Sequence, residues 1–178
     1  TSAARATAQA RDNEGQAFFK QGKWDEALAA FRAAVEKDPE MSDAWYAIGM
    51  VEMPKDGEEP CEAAHDPLKR CVELDPKNAN FHCALGSVLL HVRKDDVRAE
   101  EHFRAALRLD PKYASAHRGL VDIFQKRGDL DGAICAMRDC VEATGDSKGR
   151  AYLEKLRAQK RTAHRAAKPN PEAKARFP

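Results

Sequence analysis

"KWDEALAAFRAAVEKDPE", residues 23–40, decides the fold. The stretch predicts an amphipathic helix that ends at its Asp-Pro pair, because proline cannot continue a helix and biases the preceding residue away from helical geometry. Two further Asp-Pro stops follow, "ELDPK" at Pro76 and "RLDPK" at Pro111, and successive prolines are 37 and 35 residues apart. A fourth segment, "CVEATGD", has Gly145 in place of the stop, and glycine suits a left-handed helix end. The chain is therefore predicted to contain four tandem units.

Each unit repeats a small–large–small pattern along its second helix. Counted back from each stop, an alanine stands at twelve residues, a large apolar residue at eight and a small residue at five. These positions share one helix face, so a neighbouring helix can approach closely. An upstream helix in each unit also carries glycine or valine at a matching place. The residues twelve before each stop are Ala27, Ala64, Ala99 and Ala133, and those eight before are Phe31, Leu68, Phe103 and Met137. Those five before are Ala34, Cys71, Ala106 and Cys140, and the matching places in the upstream helices hold Gly15, Gly49, Gly86 and Val121.

This pattern resembles the tetratricopeptide repeat, a 34-residue helix-turn-helix unit with the signature Trp-x2-Leu-Gly-x2-Tyr, Ala-x3-Phe-x2-Ala and Pro. The matches run in phase over residues 8–146 and divide into 8–41, 42–78, 79–113 and 114–146. The resemblance implies an all-α, right-handed superhelical solenoid of four helix hairpins. We expect residues 1–7 to extend the first helix, 147–166 to form a basic capping helix, and 167–178 to form an extended tail that contains proline.

The second unit departs from the pattern in two places. Three extra residues fall in "MPKDGEEPCE", residues 53–62, and Pro67 falls inside the second helix. An interior proline costs about 3 kcal/mol. We therefore expect either a kink or a late helix start, with Asp66 as N-cap and Pro67 in the first turn. The long loop is a candidate contact site, although a tolerated surface insertion explains it more simply.

Sequence motifs argue against catalysis and against a membrane-spanning helix. No apolar run approaches the roughly 20 residues that such a helix needs. The six histidines are scattered, and the sequence has neither a Gly-rich phosphate loop nor a nucleophile elbow. Zinc-binding residue types occur together, but one of them occupies a packing position and there is no CxxC pair; they are Cys61, His65, Cys71, His82 and Cys83. We predict no enzyme activity, no metal and no cofactor.

The five cysteines have no disulfide-framework spacing, which favours reduced structural thiols and an intracellular, reducing compartment. The opening segment "TSAARATAQAR", residues 1–11, is rich in Ala, Ser/Thr and Arg and lacks acidic residues. Such composition is typical of the end of an organellar transit peptide, although an ordinary helix start explains it more simply. We expect the cytoplasm or the interior of an organelle.

The family resemblance also implies a binding surface. In proteins with this repeat, positions 2, 5, 9, 12 and 13 of each unit line a concave groove. Here the middle of that set is apolar and rich in sulfur, which suits an extended or helical partner segment with apolar anchors. The chain is thus expected to be a non-catalytic adaptor or scaffold for one or more proteins. The residues are Asp12, Gln16, Phe19, Lys20, Asp43, Tyr46, Met50, Met53, Asn80, Ser87, Leu90, His91, Arg118, Asp122, Gln125 and Lys126, with Cys83 explained as well by packing.

One subtype of the family is argued against. Receptors for the tails of Hsp70 and Hsp90 grip a C-terminal carboxylate with Lys, Asn and Arg side chains. The corresponding places here hold Asp12, Gln16, Ala47, Asn80 and Ala84. Because Asp12 would repel a carboxylate and the basic pair of the third repeat is missing, we do not expect such a receptor.

The charge is unevenly distributed along the chain. Residues 147–178 contain ten Lys/Arg and two Glu, whereas the remainder contains 20 basic and 27 acidic residues. This end could lie on RNA, an acidic protein surface or anionic lipid, but it lacks interleaved aromatic residues that would stack on bases. A solvated helix that offsets the acidic body explains the charge equally well. The alternative function is therefore a structural subunit or assembly factor of a large complex, such as a ribonucleoprotein, anchored through Arg157, Lys160, Arg161, Arg165 and Lys168.

Overall fold

The computed structural model describes residues 2–53 and 62–167, and all regular structure within these ranges is helical. The helices follow one another with short connections, as expected for a chain of helix hairpins. Their bounds are α1 Ser2–Lys20, α2 Trp24–Lys37, α3 Ser42–Glu52, α4 His65–Leu74, α5 Ala79–His91, α6 Asp96–Leu109, α7 Ala114–Lys126, α8 Leu130–Thr144 and α9 Ser147–Ala167.

The helices pack in consecutive pairs, and the chain divides into two compact units, residues 1–111 and 112–178. In the first unit, α1 packs on α2, α3 on α4 and α5 on α6, while contacts of α2 with α3 and of α4 with α5 join the three hairpins. In the second unit, α7 packs on α8 and α8 packs on α9. The predicted all-α organisation in helix hairpins is thus confirmed.

The predicted helix stops are confirmed. Helices α2, α4 and α6 each end one residue before the aspartate of an Asp-Pro pair, and the backbone N–H of that aspartate bonds to the carbonyl four residues earlier. Helix α8 ends at Thr144, and Gly145 follows with φ of 71° in the left-handed region. Since glycine has no Cβ, it adopts this conformation without steric cost.

The small–large–small stripe forms the core. All twelve aligned residues of the second helices are buried, and the large members Phe31, Leu68 and Phe103 are at most 1% exposed. Cys71, one of the small members, donates its thiol to the carbonyl of Pro67 at 3.2 Å. Burial raises the pKa of the Cys71 thiol to about 12, so this thiol stays protonated and serves packing.

The second hairpin resolves the two alternatives for Pro67. Helix α4 starts late, at His65, directly after a 3-10 turn at Glu62–Ala64, and Pro67 lies in its first turn. Proline is tolerated there because the first N–H groups of a helix have no intrahelical acceptor. The prediction of Asp66 as N-cap is wrong: Ala64 holds that position, because the 3-10 turn already gives it helical angles, φ −67° and ψ −21°. The candidate contact loop at 54–61 lies outside the described residues.

Helix α9 anchors to the rest of the second unit through apolar residues. Leu156 is fully buried and Leu153 is 6% exposed, and α9 contacts α8. The outer side of α9 is polar, which is typical of a helix that caps a repeat array. Within the residues described, no helix is both long enough and apolar enough to cross a bilayer.

Candidate functional site

Six of the residues predicted to line the binding surface surround one pocket, here called the α1–α3 pocket. It has a volume of about 420 Å³ and lies between α1 and α3, with Phe31 of α2 and Ala47 of α3 completing its wall. The six are Gln16, Phe19 and Lys20 of α1 and Asp43, Tyr46 and Met50 of α3. Helical spacing explains the arrangement, since residues three or four apart on each helix share one face. Phe31 was predicted only as a core residue of the packing stripe, and Ala47 only as a place where Hsp70/Hsp90 tail receptors carry a carboxylate-binding side chain.

The α1–α3 pocket has an apolar wall and a polar rim. Phe19 is 38% exposed and Met50 is 36% exposed, whereas Tyr46 is half-buried, and its ring lies 5.2 Å from that of Phe81 at a tilt of 38°. Burial raises the pKa of the Tyr46 hydroxyl, so this group stays neutral and can donate a hydrogen bond. Apolar walls with a few polar groups at the edge are typical of sites that bind an anchoring side chain.

An aromatic pair extends this surface beyond the predicted residues. Trp24, the first residue of α2, is 39% exposed and meets Phe19 edge to face with ring centroids 5.1 Å apart. Sequence reasoning missed Trp24 because it lies at a helix start, outside the family's inward-facing positions. A tryptophan directly after the Gly22 turn is the signal that could have found it.

Two residues predicted to line the surface are buried instead. Asp12 is 3% exposed and Leu90 is 4% exposed. Eight of the thirteen residues of α5 are buried, and the helix packs against both α4 and α6, so more than one of its faces is covered. Neither side chain presents surface to a partner.

Asp12 is a buried acid beside the α1–α3 pocket. Its Oδ2 accepts a hydrogen bond from Gln16 at 2.6 Å, whereas its Oδ1 is buried without a hydrogen-bond partner among the described residues. Burial raises the pKa of the Asp12 carboxyl, the bond from Gln16 opposes this, and nearby Asp43 raises it further. Gln16 and Asp43 themselves line the pocket, so the pocket edge has an acidic side.

The remaining residues predicted from the second and third repeats do not join a described pocket. Met53 follows the end of α3 and is half-buried, whereas Asn80 and His91 are exposed at the two ends of α5. Ser87 is half-buried and donates its hydroxyl to the carbonyl of Cys83 at 3.0 Å, and Cys83 is buried. Packing therefore accounts for Cys83.

A second pocket, the α7–α9 pocket, lies within the second unit. It has a volume of about 490 Å³, and two predicted residues, Arg118 and Asp122, line it. The start of α9 contributes Lys148, Gly149 and Tyr152, which sequence reasoning missed because the family pattern does not extend into the capping helix. The other lining residues are Ala114, Val121, Met137, Cys140 and Asp146.

The capping helix engages one of the predicted partner-binding residues. The hydroxyl of Tyr152 donates to Oε1 of Gln125 at 2.9 Å. Lys126, the next residue along α7, is exposed. The Gln125 side chain is thus committed to α9 rather than available to a partner.

The basic residues of α9 fall into two groups. Arg157 bonds to Glu154 at 2.8 Å, and Lys160 pairs with Asp131 of α8. Arg161 and Arg165 are exposed on the last turns of α9. Lys168 lies outside the described residues.

The zinc-ligand residue types show no converging set. In residues 2–53 and 62–167, no three His, Cys, Asp or Glu side chains are placed to hold a metal ion together. Cys71, Cys83, Cys135 and Cys140 form no disulfide bond, and Cys61 is not among the described residues. The reducing compartment stays a prediction.

Comparison with known proteins agrees with this repeat organisation. Peroxisome biogenesis protein 5 of Arabidopsis thaliana is 32% identical over 103 residues, which are 57% of this chain but only 14% of that protein. The solved structure of MamA superposes with a TM-score of 0.72 at 22% identity, covering 84% of this chain and 86% of that one. The structure of YrrB, described as a TPR protein with an unusual peptide-binding site, gives a TM-score of 0.71 at 22% identity over 83% and 74% of the two chains.

The structural likeness confirms the predicted solenoid class of the fold. The family profile described as tetratricopeptide repeat matches residues 13–79, 61–113 and 97–147. These matches overlap and together cover residues 13–147, which is most of the chain. The chain therefore belongs to the tetratricopeptide repeat family.

Proposed function

We propose that this chain is a non-catalytic adaptor module that binds an apolar segment of a partner protein in the α1–α3 pocket. One observation carries the proposal: six residues taken from the inward-facing positions of two repeats line a single pocket of about 420 Å³. The family resemblance had assigned these residues to a concave groove by their repeat positions alone. Their convergence on one concave, partly apolar surface supports a role in recognition.

The exposed apolar surface of the pocket supports an apolar anchor. Phe19 and Met50 are among the few large apolar side chains of the described residues that stand more than a third exposed. Burying apolar surface contributes about 25 cal/mol per Å², and aromatic and methionine side chains are enriched at the centres of interfaces. Lys20, Asp43 and Gln16 at the rim would orient the segment through polar contacts.

The comparisons support this class of function at a general level. YrrB, whose fold is similar, is described as having a peptide-binding site. The acidic edge at Asp43 and the buried Asp12 favour partners other than a free C-terminal carboxylate, since like charges repel. An internal apolar segment therefore fits this pocket better than a free C-terminus.

Peptide display provides the test. The protein is immobilised, 12-residue peptides are selected from a random display library, and the affinities of the enriched peptides are measured by fluorescence anisotropy. We expect peptides with a large apolar residue, and we expect Met50→Gln and Phe19→Gln each to weaken binding at least about tenfold, or about 1.4 kcal/mol. Leu109→Gln is the matched control, because Leu109 is 41% exposed but belongs to α6.

Three results would contradict the proposal. The library yields no peptide that binds, the Met50→Gln and Phe19→Gln variants bind the selected peptides as tightly as the original chain, or Leu109→Gln weakens them equally. Circular dichroism of each variant checks that the helices remain.

The alternative, an anchor for an anionic surface, rests on the exposed cations at the end of α9. Arg161 and Arg165 are exposed there, next to Lys160 and His164. Phosphate contacts of this kind are strongly salt-dependent. Titration of a 20-nucleotide poly(U) RNA at 50 and 200 mM salt tests it: binding that is lost at 200 mM salt and in Arg161→Gln/Arg165→Gln supports the alternative, and no binding at 50 mM rejects an RNA anchor.

A further inference from the structure

Two histidines from different helices of the third hairpin meet directly. Nδ1 of His82, on α5, lies 3.0 Å from Nδ1 of His102, on α6, and the ring centroids are 5.2 Å apart. The family pattern gave no reason to pair these residues, which are 20 positions apart. Their helices pack against each other as one hairpin, so the backbone holds the two rings together.

The hydrogen bonds determine which ring nitrogen of each histidine carries a proton. Nε2 of His82 lies 3.1 Å from the carbonyl of Pro76, and a carbonyl only accepts, so Nε2 of His82 carries the hydrogen. Nδ1 of His82 then presents its lone pair to His102, whose Nδ1–H must donate. In metal-ligating histidines, one ring nitrogen commonly donates to a backbone carbonyl and the other presents its lone pair to the metal, and His82 already makes the first of these contacts.

The separation of the two rings also suits a shared ion. Two nitrogens bound to one ion at about 2.1 Å, with an angle between right-angled and tetrahedral, are about 3.0–3.4 Å apart. The Nδ1 atoms stand at 3.0 Å. A small turn of each ring, with the His102 proton moving to Nε2, would aim both lone pairs at one point. Both side chains are only partly buried, so an ion can reach them from solvent.

We propose that His82 and His102 form a two-histidine site for a divalent late transition-metal ion such as Zn²⁺, Ni²⁺ or Cu²⁺. Imidazole nitrogen suits these ions, whereas Mg²⁺ and Ca²⁺ prefer oxygen. Since no three His, Cys, Asp or Glu side chains of the described residues converge on a metal, the other coordination positions are filled by water or by a donor from a bound partner. The site is open, so bound metal can accept a further ligand.

Zinc titration of the full chain tests the site. Isothermal titration with zinc chloride should give one saturable ion per chain, and His82→Gln and His102→Gln should each weaken it about tenfold or more. His91→Gln is the matched control, because His91 is exposed at the end of the same helix α5. Cys135→Ser controls for zinc on the exposed thiol. Both control variants should bind zinc as the original chain does.

A spectroscopic readout separates metal binding from a purely structural role of the pair. In ¹⁵N-labelled protein without metal, His82 should carry its proton on Nε2 and His102 on Nδ1. Zinc should move the His102 proton to Nε2 and shift both Nδ1 resonances. The proposal is overturned if the original chain binds zinc more weakly than about 1 mM, if both glutamine variants retain the full affinity, or if zinc leaves the two Nδ1 resonances unchanged. The last outcome decides the matter even where a variant does not fold.

Discussion

Gly15 of α1 lies directly against the ring of Phe31 of α2. A Cβ atom at Gly15 would stand 2.6 Å from both Cδ1 and Cε1 of that ring, closer than real Cβ contacts come. The other two hairpins of the first unit repeat the contact. A Cβ atom added at Gly49 would stand 2.5 Å from Cγ of Leu68, and one added at Gly86 would stand 3.0 Å from Cε1 of Phe103. In these three hairpins, the large residue of the second helix therefore packs into the space left by a missing side chain.

We expect Gly15→Ala to destabilise the first unit by about 1–3 kcal/mol, the usual cost of overpacking a core. Helix propensity alone predicts the opposite sign, since alanine in a helix interior is about 0.5–1 kcal/mol better than glycine. Urea unfolding followed by circular dichroism measures the difference. Ala17→Gly, at an exposed position of the same helix, reports the propensity effect in α1. A stabilised Gly15→Ala variant would show that α1 and α2 separate at little cost.

The repeat pattern predicted the core because it depends on spacing along single helices. Ala27, Phe31 and Ala34 share one face by helical geometry alone, and the structure buries all three. The Asp-Pro stops were equally predictable, since proline acts locally. The six residues of the α1–α3 pocket, by contrast, were predicted from the family resemblance, which assigns their repeat positions to the concave side.

Contacts between helices could not be predicted in this way. Leu90 is buried in a helix that packs against both α4 and α6, and such burial depends on the neighbouring helices rather than on its repeat position. The bond from Tyr152 to Gln125 joins residues 27 positions apart, and it depends on how the capping helix packs. The Asp66 prediction was wrong for a different reason: the helical geometry begins earlier, in a 3-10 turn at Glu62–Ala64 that follows the insertion, and the repeat pattern does not predict this turn.

Acidification should destabilise the third hairpin through His102. Burial, followed by the neighbouring His82 and His65, lowers the pKa of His102 from 6.5 to about 4. Between pH 6.5 and 4, the unfolded chain therefore binds a proton at His102 more readily than the folded chain does. The neutral ring makes its full contribution to the free energy of unfolding above pH 6.5, and this contribution is lost as the pH falls towards 4. We expect a loss of about 1–2 kcal/mol, allowing for screening at a partly exposed ring.

The comparison of the original chain with His102→Gln isolates this effect. Urea unfolding is measured from pH 7.5 to 4 with a chelator present, so that bound metal does not contribute. The stability difference between the two proteins should decrease as the pH falls through the window. A difference that stays constant from pH 7.5 to 4 would contradict the neutral, buried state of His102.

Replacement of Asp12 should stabilise the protein at neutral pH. Its Oδ1 is buried without a donor among the described residues, and burial raises the pKa of the carboxyl. A raised pKa means that the folded state binds the proton more readily than the unfolded one, so ionised Asp12 disfavours folding at pH 7 and less so near pH 4. Asp12→Ala should raise the free energy of unfolding by about 1 kcal/mol at pH 7.

Asn13→Ala is the matched control for Asp12→Ala. Asn13 is exposed on the same helix, so its replacement reports the gain in helix propensity alone. The excess gain of Asp12→Ala over this control should be larger at pH 7 than at pH 4. The prediction is contradicted if the gain of Asp12→Ala over Asn13→Ala is the same at pH 7 and pH 4, or if Asp12→Ala is less stable at pH 7. Either result would mean that ionised Asp12 does not disfavour folding.

The capping helix should hold α8 in place through its buried leucines. Leu156→Ala removes a fully buried side chain and should cost about 2–5 kcal/mol in the second unit. Lys155→Ala, at an exposed neighbouring position, should change stability by less than about 0.5 kcal/mol. Amide hydrogen exchange in α8 measures both effects residue by residue. Unchanged protection of α8 in Leu156→Ala would mean that α9 contributes nothing to the stability of the last repeat.

Tyr152→Phe separates the polar contact of the capping helix from its apolar packing. The substitution removes the hydroxyl that donates to Gln125 but keeps the ring, so it should cost about 0.5–1.5 kcal/mol. It also frees the Gln125 side chain at the end of α7. Amide hydrogen exchange in α8 should rise slightly in Tyr152→Phe and much more in Leu156→Ala. This result would mean that apolar packing holds α9 on α8 and that the hydrogen bond fixes the register of α9. Equal effects would mean that the two contacts form and break together, because α9 then detaches as one unit.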